Sequence, residues 1–145
     1  MRDAVPQPAM NAPDEIRLEI DSDARNVAAA SICLRALCID AGLSEQNVFQ
    51  VVCTAVEGIN NVIEHAYDNQ PGHRICIRWT RDAGYIGIEI RDWGKTMLNE
   101  PQKTSPSPEA GHGRGWFIMR EWMDETDYDT VKDYNRLRLI KHLDK

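Results

Sequence analysis

Several things are missing from this 145-residue sequence, and each absence narrows what the chain can be. No apolar run approaches the ~20 residues needed to cross a bilayer. The opening stretch, MRDAVPQPAMNAP, carries three prolines and no apolar core of the kind a secretory signal needs. A frayed tail over 1–13 and a cytoplasmic protein are therefore expected, with one folded domain over 14–145. No CxxC pair occurs. Cys33, Cys38, Cys53 and Cys76 each fall inside an apolar helix or strand pattern, which predicts buried free thiols rather than a metal or redox centre. There is no excess of positive charge either. The formal net charge is -6, which argues against a duplex nucleic-acid binder, because such a surface must neutralise phosphates.

A more local absence is the most informative. From Ser44 to Asp68 there is neither lysine nor arginine. Yet Val48, Val52, Ala55, Ile59, Val62 and Ala66 recur every three or four residues, as one face of a helix should. Ser44 suits the N-cap of that helix. Its opposite face offers Glu57, Asn60, Asn61 and Glu64, with no cation among them.

Around this helix the rest of the chain reads in sequence order. Glu15 to Ile20 alternates as a strand. The stretch DSDARNVAAASICLRALCIDAG opens on Asp and Ser, suited to an N-cap, and closes at Gly42. After Pro71-Gly72, HRICIRWT and YIGIEIRD form a hairpin joined by RDAG. A long polar stretch from Trp93 to His112, with three prolines, reads as a lid or another functional loop. GHGRG then leads into a helix on which Trp116, Met119 and Met123 share a face. TDYDT and NRLRLIKHL make a closing hairpin. Antiparallel hairpins with segregated helices predict an α+β two-layer sandwich, its sheet mostly antiparallel and covered by helices on one face.

Three clusters of residues could carry chemistry. Glu57 and Asn61 are four apart and so neighbours on one helix face. They are either part of a solvated surface or a pair of hard oxygen ligands of the kind Mg²⁺ takes. Gly58 sits between them, where a mid-helix glycine costs ~1 kcal/mol relative to Ala, so close approach by something is expected there. Asp92 follows Ile86, Ile88 and Ile90 on the same strand face. It either caps the turn at Trp93-Gly94 or waits as an acceptor for a ligand's amino group. Gly111, Gly113 and Gly115 lead into a helix and are either a hinge or an anion site. They match neither the Rossmann spacing nor a Walker loop. Together the three clusters supply what a purine nucleoside triphosphate with Mg²⁺ requires.

The run E57-x-x-x-N61, then H65-A66-Y67, D92-x-G94, G113-x-G115, FIM and M123-D124-E125 resembles the histidine-kinase-like ATPase superfamily, also called GHKL or Bergerat. Within it the pattern is most similar to the RsbW-like anti-sigma factor serine/threonine kinases, over roughly Glu15 to Leu143. The resemblance implies a Bergerat-type sandwich with a mixed, mostly antiparallel sheet. It implies Glu57 as general base, Asn61 as the Mg²⁺ ligand and Asp92 as acceptor for the adenine amino group, with Gly94 lining the base pocket. Gly111, Gly113, Arg114 and Gly115 would meet the phosphates of ATP or ADP.

The implied activity is phosphorylation of an anti-anti-sigma (STAS-domain) partner by an anti-sigma factor that also binds a sigma factor. A homodimer is implied, and neither nucleic acid nor membrane. Kinases of this branch often carry an Arg before the final glycines, where this chain has Gly111-His112. A nucleotide-binding partner-switching scaffold without kinase activity is therefore the alternative. A detached two-component histidine kinase domain is discounted. No dimerisation helix with a phospho-accepting His is present, His65 falls in the nucleotide helix, and His112 falls in the lid.

Overall fold

Alternation writes the sheet. The computed structural model describes residues 14–97 and 114–143, Arg114 as backbone only. The expected tail over 1–13, the stretch from 98 to 112 and the glycines Gly111 and Gly113 lie outside the described residues. Five strands, β1 (Asp14–Asp21), β2 (Arg74–Arg81), β3 (Tyr85–Asp92), β4 (Glu125–Val131) and β5 (Tyr134–His142), form one sheet in the order β1-β2-β3-β5-β4. All four pairings are antiparallel, so the described strands hold no parallel pair.

Every second residue of the central strands faces the helices. Ile77 pairs with Ile90, Ile90 with Leu137, Trp79 with Ile88 and Ile88 with Leu139, and all six side chains are buried. The intervening residues make a charged outer face. There Arg78 is bound between Glu15 and Glu89, Arg91 pairs with Glu89, and Arg136 grips both oxygens of Asp129. Such half-exposed pairs are worth under about 1 kcal/mol each, so they define the solvent side more than they hold the sheet.

Three helices cover the inner face: α1 (Arg25–Asp40), α2 (Glu45–Asn61) and α3 (Arg114–Trp122). The end of α1 has a Schellman closure, with Gly42 in the left-handed region, Leu43 N bonded to Cys38 O and Gly42 N to Ile39 O. Its start differs from expectation. Ser22 does not cap the helix. Its hydroxyl donates to Gln70 O and accepts from His73 N, tying the end of β1 to the approach of β2. Asp23 Oδ1 receives the Arg25 amide instead. Ser44 caps α2 as expected, accepting from Asn47 N at 3.1 Å.

The cysteines depart from expectation as well. Only Cys38 is buried, and burial pushes its thiol pKa up. Cys33 lies on the exposed side of α1, and Cys76 alternates with Ile75 and Ile77 and so shares the charged face. All four thiols are free.

Gly58 is where α2 meets the sheet. A Cβ there would fall 2.8 Å from Ile90 Cδ1 and 2.8 Å from Leu137 Cδ2. The close approach anticipated at this glycine is thus made by the core, not by a ligand. Gly58→Val is expected to cost about 2–3 kcal/mol through overpacking, seen as a lower urea midpoint with an unchanged slope.

Candidate nucleotide-binding site

The helix bearing Glu57 and Asn61 does not end in ordinary α geometry. Val62–Ala66 forms a π-helical turn, in which Tyr67 N bonds to Val62 O. Single π turns inside helices occur often at functional sites. The chain then leaves through Asp68 and Asn69, both at positive φ, a conformation that Asp and Asn tolerate better than most residues. Glu57 and Asn61 are both half-buried, one turn before this widening.

The segment after β3 is fastened to that helix end. Lys95 N donates to Ala66 O at 3.0 Å. A Cβ on Gly94 would collide with the Ala66 carbonyl, standing 2.8 Å from its carbon and 2.8 Å from Tyr67 Cδ1. Gly94 is therefore required by main chain packing against main chain. Tyr67 adds a second tie, its hydroxyl accepting from Trp93 N and donating to Arg74 O.

Asp92 ends the inward-facing row of β3 and is 1% exposed. Its Oδ1 accepts from Gly94 N at 3.0 Å and from Asn135 Nδ2 at 2.8 Å. Among the described residues no donor reaches Oδ2. The turn-capping reading of Asp92 is met by one oxygen, Oδ1. Burial raises the Asp92 pKa above the usual carboxylate range, and the bonds from Asn135 and Gly94 oppose the rise.

Asn135 was not foreseen. It lies opposite Asp92 on β5 and is 2% exposed. A signal existed in the alternation of β5, which puts Asn135 on the buried period with Leu137 and Leu139, where an amide is out of place unless bonded.

The third cluster reaches the first through Gly115, at the second residue of α3. A Cβ there would stand 2.7 Å from Glu57 Oε2 and 3.6 Å from Asn61 Nδ2. The first turn of α3, whose amide N–H groups have no partners within the helix, therefore sits against the Glu57–Asn61 pair. That start of a helix favours anions. The Arg114 side chain lies outside the described residues.

No group of three or more His, Cys, Asp or Glu that could hold a metal occurs among the described residues. A lone amide oxygen does not hold Mg²⁺ tightly by itself, but it suits an ion carried in on phosphates. A cavity of about 750 Å³ between Tyr85, Arg120 and Glu125 lies at the far end of β3 from Asp92 and contains none of these residues.

A family model described as a histidine kinase-like ATPase domain matches residues 20–141. An anti-sigma F factor of Anoxybacillus flavithermus is 27% identical over 138 residues, covering 91% of this chain and 94% of that protein. The anti-sigma F factor of Bacillus subtilis is 25% identical over 139 residues, with the same coverage. A crystal structure of the RsbU and RsbW domains of a Mycobacterium tuberculosis protein superposes with a TM-score of 0.67 at 14% identity. It matches 90% of this chain, which spans 32% of that longer one.

The state of Asp92 has a consequence for stability. Because burial raises its pKa, the folded chain holds this proton more tightly than the unfolded chain does. Its contribution is thus most favourable below the unfolded value of ~3.9 and is lost as pH rises through the raised folded value. Asp92→Asn keeps an acceptor for Gly94 and Asn135 while removing the charge. It is expected to gain on the order of 1 kcal/mol at pH 7, with the gain vanishing toward pH 3–4, as read by thermal unfolding across pH.

Proposed function

The chain belongs to the histidine kinase-like ATPase family, and from that premise we propose that it is an ATP-binding anti-sigma factor and protein serine/threonine kinase. Its substrate is a Ser or Thr hydroxyl on an anti-anti-sigma (STAS-domain) partner in a partner-switching system. The observation that carries this reading is the contact of Gly115 with Glu57 and Asn61 at one end of a site whose other end is the half-open carboxylate of Asp92.

Asp92 Oδ2 accepts the adenine amino group, beside the turn that Gly94 permits. Asn61 would hold Mg²⁺ through its amide oxygen, and the ion would supply charge neutralisation on the phosphates of ATP. Gly111, Gly113, Arg114 and Gly115 would meet those phosphates, and the absence of a Cβ at Gly115 leaves room beside Glu57. Glu57 takes the proton of the attacking hydroxyl as its oxygen bonds to the terminal phosphorus and ADP departs. Positioning and charge stabilisation provide most of the rate in such transfers, so one base suffices.

Support for the partners comes from outside the site. The relatives carry the name anti-sigma F factor, and by that analogy a sigma factor is the second ligand. On α1, Ile32 is 69% exposed and Ile39 56% exposed, beside the small residues Ala29 and Ala36. This outer helix face suits protein contacts, including a homodimer. The net charge of -6 disfavours direct nucleic-acid binding. No helix of the described residues is long and apolar enough to cross a membrane.

A second reading, a nucleotide-binding partner-switching scaffold without transfer, is favoured by one observation. Gly111-His112 stand where kinases of this branch often have an Arg. Incubation with Mg·ATP and the STAS-domain partner decides between them. Phosphoserine or phosphothreonine on the partner is expected, and its absence under all conditions removes the kinase assignment. Glu57→Gln is expected to slow transfer at least about a hundredfold while ADP affinity stays within about threefold, because the base acts on the hydroxyl and not on the nucleotide. Partner exchange that continues unchanged in Glu57→Ala supports the scaffold.

A further inference from the structure

The amide of Asn135 is more fully engaged than packing requires. Its Nδ2 donates to Asp92 Oδ1 at 2.8 Å and lies 3.1 Å from Gly94 O and 3.3 Å from Lys95 O. Its Oδ1 accepts from Thr96 Oγ1 at 2.9 Å and from Thr130 Oγ1 at 3.1 Å. The orientation of the amide is dictated chemically. All three neighbours of Nδ2 are acceptors only, so a flipped amide would set oxygen against oxygen at each of them. The side chain thus clamps the carboxylate, the turn after it and the end of β4 into one unit.

We infer that Asn135 is a positioning residue that sets base specificity: by occupying Asp92 Oδ1 together with Gly94 N, it leaves a single acceptor oxygen for the base. The inference rests on the nucleotide-binding reading above. A lone oxygen pairs with one exocyclic amino group, as adenine presents. Guanine is held by a carboxylate through two parallel bonds, from N1–H and the 2-amino group, and these need both oxygens. With Oδ1 occupied, the second bond is denied and guanine is left with a buried donor unpaired. Without Asn135, the carboxylate keeps only the Gly94 bond and is free to turn and present both oxygens.

The surroundings of Asp92 leave no substitute for this clamp. Tyr67 at the helix end and Tyr128 on β4 are the titratable groups that face it. Across the sheet on β2 its neighbour is the apolar Ile75. No cation among the described residues offsets its charge.

The test uses two variants of equal shape, Asn135→Val and Asn135→Thr, which differ in one hydroxyl donor. ADP and GDP affinities of the full chain are measured by calorimetry between pH 5 and 8. The wild type is expected to prefer ADP. Asn135→Val is expected to lose at least about tenfold in the ADP-to-GDP affinity ratio, the weight of one hydrogen bond to a charged group. Its ADP affinity should also begin to fall at a higher pH than in the wild type, since the carboxylate loses a donor that favours its charged form. Asn135→Thr should recover part of both. A folded Asn135→Val with the wild-type ratio and pH profile overturns this inference and leaves ADP binding intact. A wild type that binds neither diphosphate overturns the nucleotide reading as well. If Asn135→Val does not fold, Thr96→Val, which releases the amide oxygen from the rim, should shift the ratio in the same direction, and an unchanged ratio there overturns the inference.

Discussion

A buried carboxylate that no cation among the described residues meets organises one end of this molecule. A charge so deep must be answered by donors, and Asp92 is answered by the amide of Gly94 and the side chain of Asn135. The Gly94 amide can reach it only because the chain turns at once after β3. That turn exists because residue 94 has no Cβ to strike the Ala66 carbonyl. Ala66 stands at the end of a π-helical turn that widens the helix bearing Glu57 and Asn61. The acceptor on the sheet and the carboxylate–amide pair on the helix are thus fixed to one another through main chain, which moves less than side chains do. Under the proposed function, such rigidity would keep a base at one end and phosphates at the other in fixed relation.

Three glycines illustrate how differently one residue type can be required. Gly58 is required by core side chains, Ile90 and Leu137, which leave no room for a Cβ. Gly94 is required by another segment's backbone. Gly115 is required by a carboxylate, since a Cβ would displace the end of Glu57, a flexible group that could move aside only by leaving its place beside Asn61. The first is met by core side chains, the second by backbone and the third by a polar side chain. In a sequence they look alike.

The layering separates support from function. Between Ile88 and Asp92 the inward row shared by β2, β3 and β5 is apolar but for the indole N–H of Trp79, and at its last position Asp92 and Asn135 face one another. The outer face is a lattice of half-exposed ion pairs that keeps the sheet in solvent. On the helical side, α1 covers the core with Val27, Ala30, Leu34 and Cys38 and turns Ile32 and Ile39 outward. That outward face has no partner within the described residues.

Much of this was legible in the order of residues because it depends on local period and local stereochemistry. Alternation located β1, β2 and β3, since burial on one face of a pleated sheet repeats every two residues, and the 3.6-residue period with Ser44 located α2. Glu57, Asn61 and Asp92 could be read as candidates because an unneutralised polar residue beside an apolar pattern is conspicuous, and Gly94 because it stands at the turn after Asp92. Tertiary structure alone decided the rest. Ser22 left the helix it was expected to cap because His73 and Gln70, distant in sequence, offered it better partners. Cys33 and Cys76 emerged on exposed or charged faces, because a pattern gives the period of a helix or strand and not which elements cover it. Asn135 acquired its role only when β5 paired with β3 in the register that sets it opposite Asp92, 43 residues away. Sequence fixes which side chains share a face; only packing determines which faces meet, and it is the meeting of faces that makes a buried polar pair.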